Sequence, residues 1–502
     1  MKRLFCIVLL IFVFFLLSGC FDFYPEVVVS PFPSPSPSPI VLPSPVPRVL
    51  TFGIAFSPVD VFRPLTDTLR YNSHAARLCY EGLFELDERF IPRPLLCVSM
   101  ETDDNIRFTL TLREDVVFHN GSPLTAADVA ASIQLAQRPG GPYASRLACI
   151  SSVSAQSDGT ILITMNNPVW NAAALFDFPI VHQADGVEVG TGPYRMTLTP
   201  EGGFLLPSDN WWQEKQLPAG RIELVPIGNA DDLVYSFQYG YISMMQIDPW
   251  DTFSPGIHIG VDKIITPSCL MQYIGINTQK APLNNAGLRR ALTLALDREA
   301  VIETVYGEEA TSSSLPVPPS SPFYPSNASG LDDPGEAAGL GNVPELTLIV
   351  GAENTARIQM AEICAEMLGA AGFTVHVTPL GRPAFERALA DGDYDLYYAE
   401  ARLAPNFDPR EFLLPGGAFA FGISENAALR SALDDMARTN PYTEEGLEAL
   451  GLVWDVFWEE TPMIPICFRN TLFISQRGLL SGQTPAFSNP YAGFADWTVH
   501  DR

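Results

Sequence analysis

The stretch 24–48, YPEVVVSPFPSPSPSPIVLPSPVPR, constrains the chain more than any other part of it. Proline fixes φ and lacks an amide donor, so a segment in which it alternates with serine joins neither a helix nor a sheet. Its favoured form is extended polyproline II. At ~3.1 Å per residue, two dozen such residues reach roughly 70 Å. Any packed core therefore begins at about Arg48. The stretch reads as a spacer, with a proline-rich ligand for a recognition domain as the alternative.

What precedes the spacer reads as a targeting segment. Lys2 and Arg3 form a short positive region, 4–17 is an almost unbroken apolar run, and LSGC follows at 17–20. The run is short of the ~20 residues a membrane span needs, but it suits an export signal. Ser18 and Gly19 before Cys20 resemble the lipobox of bacterial lipoproteins, which implies lipidation of Cys20 and a membrane anchor. An uncleaved anchor ending in an incidental cysteine is the other reading. Both put the body outside the cytoplasm.

The 502 residues exceed one ordinary core and are expected to form two or three domains. Thirty basic side chains against 57 acidic ones give a net charge of −27. Such a polyanion is repelled by nucleic acid and by anionic membrane surfaces, so no nucleic-acid partner is expected. Without Cys6 and Cys20, the cysteines left are Cys79, Cys97, Cys149, Cys269, Cys364 and Cys467. Disulfides are permitted outside the cytoplasm, but spacing does not pair these residues, and buried thiols fit equally well.

Past Arg48 the pattern mixes strands and helices. RVLTFGIAF at 48–56 alternates as a strand does, and NIRFTLTLRE at 105–114 puts Phe108, Leu110 and Leu112 on one face. Val116 and Phe118 extend that apolar edge to His119-Asn120-Gly121, where Asn-Gly marks a tight turn. Thr125 and Asp128 fit a capping box opening a helix with Val129, Ile133 and Ala136 on one face. His119 has no second histidine nearby and needs only one hydrogen-bond partner, so this polar cluster reads as scaffold. Farther on, strand 344–350, helix 355–371 ending at Gly372 and strand 373–377 form a βαβ unit, which demands a parallel pair. A short helix near 383–390 and a strand at 394–401 extend it. Helix 288–307 is interrupted near Asp297, which restarts it as an N-cap, and Gly307 ends it.

Signals for an enzyme are weak. The six histidines, at 74, 119, 182, 258, 376 and 500, show no H-E-x-x-H or other close metal pairing. GISEN at 422–426 departs from the G-x-S-x-G elbow at its last position. Gly190-x-Gly192 runs into Pro193, which is wrong for a dinucleotide loop opening a helix. A glycosidase-like carboxylate pair has no positive support.

Five segments together carry a resemblance. They are YEGLFELDERFIPRPLL (80–96), FTLTLREDVVFHNGSPLTAADVAASI (108–133), GTGPYRM (190–196), QYIGINTQKAPLNNAGLRRALTLALDREAVIETVYG (272–307) and ADGDYDLYYAEARLAPNFDPREFL (390–413). In this order they resemble the peptide/nickel-type (family 5) extracellular solute-binding proteins of ABC importers, over the chain from about residue 48 onward. The resemblance implies an α/β, two-lobed fold of the type II periplasmic-binding-protein kind, with an extra inserted domain, mixed sheets and a hinge between the lobes. By motif, 1–19 is the signal and 20–47 the lipidated cysteine and spacer. Residues 48–68, 184–264 and 470–502 form domain I, 69–183 domain II and 265–469 domain III. The implied function is capture of a peptide-like or other small solute in the cleft between lobes, and its delivery to an ABC permease. No chemistry, cofactor or metal is expected, and the chain is expected to be a monomer. A sensor of the same fold that presents its closed form to a signalling partner is the alternative, with a secreted hydrolase behind it.

In peptide-binding members the loop aligned on Asp408-Pro409 carries a tryptophan and an aspartate, and the aspartate holds the peptide's ammonium. Here Arg402 and Pro405 stand at those positions, so the ammonium anchor is missing. Arg402 is the leading ligand-binding candidate, for an anionic group, since guanidinium pairs with oxyanions in bidentate geometry. The competing reading pairs Arg402 with Glu400. Other candidate lining residues are Phe56 and Ser57 after the first strand, Trp250 near the expected hinge, and Tyr397, Asn406 and Phe407 around the loop.

Overall fold

In a computed structural model, which describes residues 52–184, 186–199, 202–247, 256–326, 328 and 345–500, two long antiparallel strands run through the middle of the body. They are Val261–Ile276 and Met463–Gln476, and every residue of the second is buried. Their ladder breaks between Thr266 and Leu270. Pro267 lies inside the break, and a residue without an amide hydrogen cannot continue a ladder. A second slip, between Gln272 and Tyr273, lies beside Pro465 on the partner strand. The targeting segment, Cys20, the spacer and Trp250 lie outside the described residues.

On one side of the break, Thr266 and the residues before it pair with 471–476, and Met244–Ile247 adds to the same edge. A four-stranded sheet lies close by, ordered Phe52–Phe56, Ile222–Pro226, Gly202–Pro207, Tyr194–Thr199. Its first two strands are parallel and the rest antiparallel. An antiparallel sheet of Cys97–Glu101, Arg107–Leu112, Ile161–Met165 and Ile150–Ala155 continues this side. One apolar cluster, including Ile54, Leu110, Ile163 and Phe178, unites the two sheets.

On the other side, Leu270–Ile276 pairs with Leu396–Arg402. Leu346–Gly351 runs parallel to both Leu396–Arg402 and Val375–Leu380. The βαβ reading is met: helix Thr355–Ala370 buries Met360, Ala361, Cys364 and Leu368 against the sheet, and Gly372 adopts φ +96 to end it. Asp297 caps Arg298–Val305 by accepting from the Ala300 amide at 3.1 Å.

Two local expectations shift. Val116 and Phe118 do not extend the strand, which ends at Leu112; Val117 makes only an isolated bridge to Pro123. The cause is the turn at Gly121 (φ +84), which folds the chain back before a ladder can form. Thr125 and Asp128 do form the capping box, and Asp128 also meets the His182 ring at 2.7 Å. The His119 ring donates from Nε2 to the Gly192 carbonyl, 2.9 Å away, and its amide donates to Gly190 O. Burial, partly offset by that bond, lowers its pKa to about 4. The glycines of GTGPY are packing residues: a Cβ at Gly190 would lie 2.1 Å from the Cys79 carbonyl. The six body cysteines are free thiols.

Candidate functional site

A cavity of about 630 Å³ opens where the strand break lies, with Cys269, Leu270 and Thr471 in its wall. That volume falls in the range of ~300–1,000 Å³ typical of small-molecule sites. Helix Arg70–Ala76 forms one wall. Arg70, His74 and Arg77, spaced i, i+4, i+7, share a face and reach the cavity together. Fully buried Asn72 fixes the helix. Its amide donates to Ser57 O (3.0 Å) and Asp67 Oδ2 (2.9 Å) and accepts from the Ser57 amide (2.8 Å).

Asp177 also lines the cavity, 1% exposed, 2.6 Å from Arg146 and 3.5 Å from Arg77. Burial alone would raise its carboxyl, but Arg146 and Arg77 hold it below the usual range. One carboxylate thus serves two guanidiniums. Arg146 also stacks on Tyr143, 4.9 Å from the ring centroid, and its Nε is buried without an acceptor among the described residues. His74 feels the same field. Burial, then Arg70, Arg77 and Arg402, push its pKa down to about 3, so it is neutral at physiological pH.

Arg402 ends its strand at the cavity, exposed, with its guanidinium over Phe487 and beside the Cys269 thiol. The Glu400 alternative is corrected. Glu400 is taken by Arg357 at 2.9 Å and by Gln272 and Arg469, and it makes no ion pair with Arg402. Pro405 lines the cavity as well.

The remaining described candidates are not on the cavity wall. Phe56 is fully buried against Phe62. Ser57 acts through Asn72, holding the arginine-bearing helix. Tyr397 covers Gly275, where a Cβ would lie 2.0 Å from its ring, and donates to Phe419 O at 3.0 Å. Asn406 and Phe407 bridge to the segment that holds the small antiparallel sheet. Asn406 donates to Trp170 O at 3.2 Å, and Phe407 meets Phe90 edge-on at 5.1 Å. Asn105 and Arg410 bond across the same boundary, to Ala437 O and Pro168 O. Aromatic and amide side chains were read as lining because they flank Arg402; burial claims them instead.

Arg70, His74, Arg77, Arg146 and Asp177 escaped sequence reading. The first three carry a signal, an R-x-x-x-H-x-x-R stripe at helical spacing. Arg146 and Asp177 are joined only by the fold.

Residues 92–418 match the model of the family described as bacterial extracellular solute-binding proteins, family 5 middle. The glutathione-binding protein GsiB of Escherichia coli is 24% identical over 456 residues, covering 83% of this chain and 88% of that one. The ABC transporter substrate binding protein CtaP from Listeria monocytogenes superposes with a TM-score of 0.73 at 20% identity, over 90% of this chain and 99% of that one. The nickel ABC transporter protein from Bacillus halodurans gives a TM-score of 0.71 at 18% identity, over 87% and 97%. The fold is that of the two-lobed periplasmic binding proteins, with mixed sheets.

Proposed function

The chain belongs to the bacterial extracellular solute-binding proteins of family 5, and from that premise we propose that the cavity at the strand break captures its solute. Such a protein takes up a peptide-like or other small solute between its lobes and hands it to an ABC permease. The observation that carries the site assignment is convergence. Both long strands, the helix Arg70–Ala76 and the end of Leu396–Arg402 contribute to one cavity.

The physics needs only two states. Val261–Ile276 and Met463–Gln476 are the covalent links in the proposed hinge, and their interrupted ladder gives the place to bend. A solute touching both sides favours the closed form by its differential contacts. Enclosure strips water from its polar groups, so each needs a partner in the wall. Arg402 is one such partner; Asn406 and Phe407 stabilise the closed form instead.

Export by 1–19, lipidation at Cys20 and a proline-rich tether would hold a monomeric receptor beside its permease; the lipobox-like LSGC supports this. The domain division by motif, with 69–183 inserted and 265–469 as the second lobe, belongs to the same proposal.

Native mass spectrometry of the purified full-length chain tests the reading. A retained small molecule, released unchanged on unfolding, is expected. Conversion of that molecule by the protein overturns it.

A further inference from the structure

Resting on the capture reading above, we infer that the solute is a small anion with at least two oxyanion groups, one held by Arg402 and one by Arg77 and Arg146. The molecule as a whole carries −27, yet among the described residues that line its cavity Arg77, Arg146 and Arg402 outnumber the carboxylates Asp177 and Glu411. A basic pocket in an acidic protein is not a by-product of composition.

Each half of the inference has its own geometry. At one end, Arg77, Arg146 and Asp177 form a trio with an excess positive charge, and Arg146 Nε points a buried donor at no acceptor among the described residues. Burying a charged donor unpaired is costly, and a ligand oxygen removes that cost. At the other end, Arg402 makes no ion pair with any described residue, while Phe487 covers one face of its guanidinium at 4.9 Å. Stacking on a ring leaves the N–H edge, apart from its contact with the Cys269 thiol, to grip a carboxylate or phosphate. Even with Glu411 ionised, the three arginines exceed the two carboxylates among the described lining residues. The two ends lie in one cavity: Arg77, Arg146 and Arg402 all line the same space of about 630 Å³. Pro405 supplies no counter-charge for an ammonium, so a cationic solute finds no anchor on this loop.

The test uses the full chain in calorimetric titration and thermal unfolding against three defined libraries. The first holds dicarboxylic acids, N-acetylated acidic dipeptides and small organic phosphates. The second holds the methyl esters of the acids, and the third basic dipeptides with free amino ends. The inference expects stabilisation by the first library only. Arg402→Gln and Arg146→Lys should each weaken the best ligand by about tenfold or more, as loss of a charge-assisted bond does. Arg430→Gln, removing a surface arginine paired with Glu425, should change nothing. Arg402→Gln should also keep the unliganded melting temperature, which separates lost binding from misfolding. Within the first library, carboxylates and phosphates are scored separately, and either class supports the inference. Stabilisation by esters or basic dipeptides alone overturns it while capture stands. If neither these libraries nor a small-molecule extract of cells shifts the protein, the capture reading falls and this one with it.

Discussion

Arg402 stacks on the ring of Phe487, its guanidinium carbon 4.9 Å from the centroid. Glu400, two residues earlier on the same strand, is instead locked between Arg357, Gln272 and Arg469. Adjacent same-face charges on one strand thus have separate work, one at the cavity and one in the interior.

That separation gives the first prediction. Glu400→Ala removes the carboxylate that Arg357, Gln272 and Arg469 share and should cost about 3–5 kcal/mol in urea unfolding, the usual cost of breaking a buried pair. Arg402→Ala, at an exposed position, should cost less than about 1 kcal/mol. Equal losses would mean that Arg402 belongs to the Glu400 network.

Asn72 should matter to binding without touching the solute. Asn72→Ala removes three hydrogen bonds that hold the helix bearing Arg70, His74 and Arg77. Stability should fall by about 2 kcal/mol, with the Ser57 amide left unpaired. Solute affinity should fall too. Unchanged affinity in a folded Asn72→Ala protein would show that the helix is positioned by something else.

Solute capture should take up protons below neutral pH. In the empty cavity burial and three arginines lower the His74 pKa to about 3. A bound anion offsets those arginines and raises it above about 3, so the bound state holds more protons and binding strengthens as pH falls toward that value. Titration in two buffers of different ionisation enthalpy reads the uptake, and His74→Asn should reduce it. Proton release on binding would contradict the account.

A second titratable group bears on stability alone. Glu81 is buried and accepts from Thr191 (2.7 Å), Trp211 (3.1 Å) and Trp212 (2.9 Å). Burial outweighs those bonds and raises its pKa to about 7. Between the unfolded value of ~4.3 and 7 the folded state holds more protons than the unfolded one. Its contribution is therefore full below that window and lost as pH rises through it. Unfolding free energies at pH 5 and 7.5 should differ less for Glu81→Gln than for wild type; an identical difference refutes the assignment.

The legible parts of the fold were those with local causes. The capping box at Thr125, the Asp297 restart and the helix end at Gly372 are set by backbone groups within a few residues. The parallel pairing of Leu346–Gly351 follows from the βαβ order. The cavity was legible only at Arg402, where departure from a familiar motif drew attention. Tyr397, Asn406 and Phe407 went astray because sequence proximity to a cavity says nothing about which way a side chain packs. Tyr397 faces Gly275 across the ladder, 122 positions away in number. Arg146 and Asp177 meet through tertiary packing alone, which no periodicity encodes.

The central claim is closure of two halves around a solute, and small-angle X-ray scattering of the full-length protein tests it most directly. With saturating ligand from the acidic library, the account predicts a smaller radius of gyration than without ligand. Asn406→Ala, which removes a bridging bond, should need more ligand to reach it. A radius of gyration that stays the same at saturation, with binding confirmed calorimetrically in the same sample, would contradict the account.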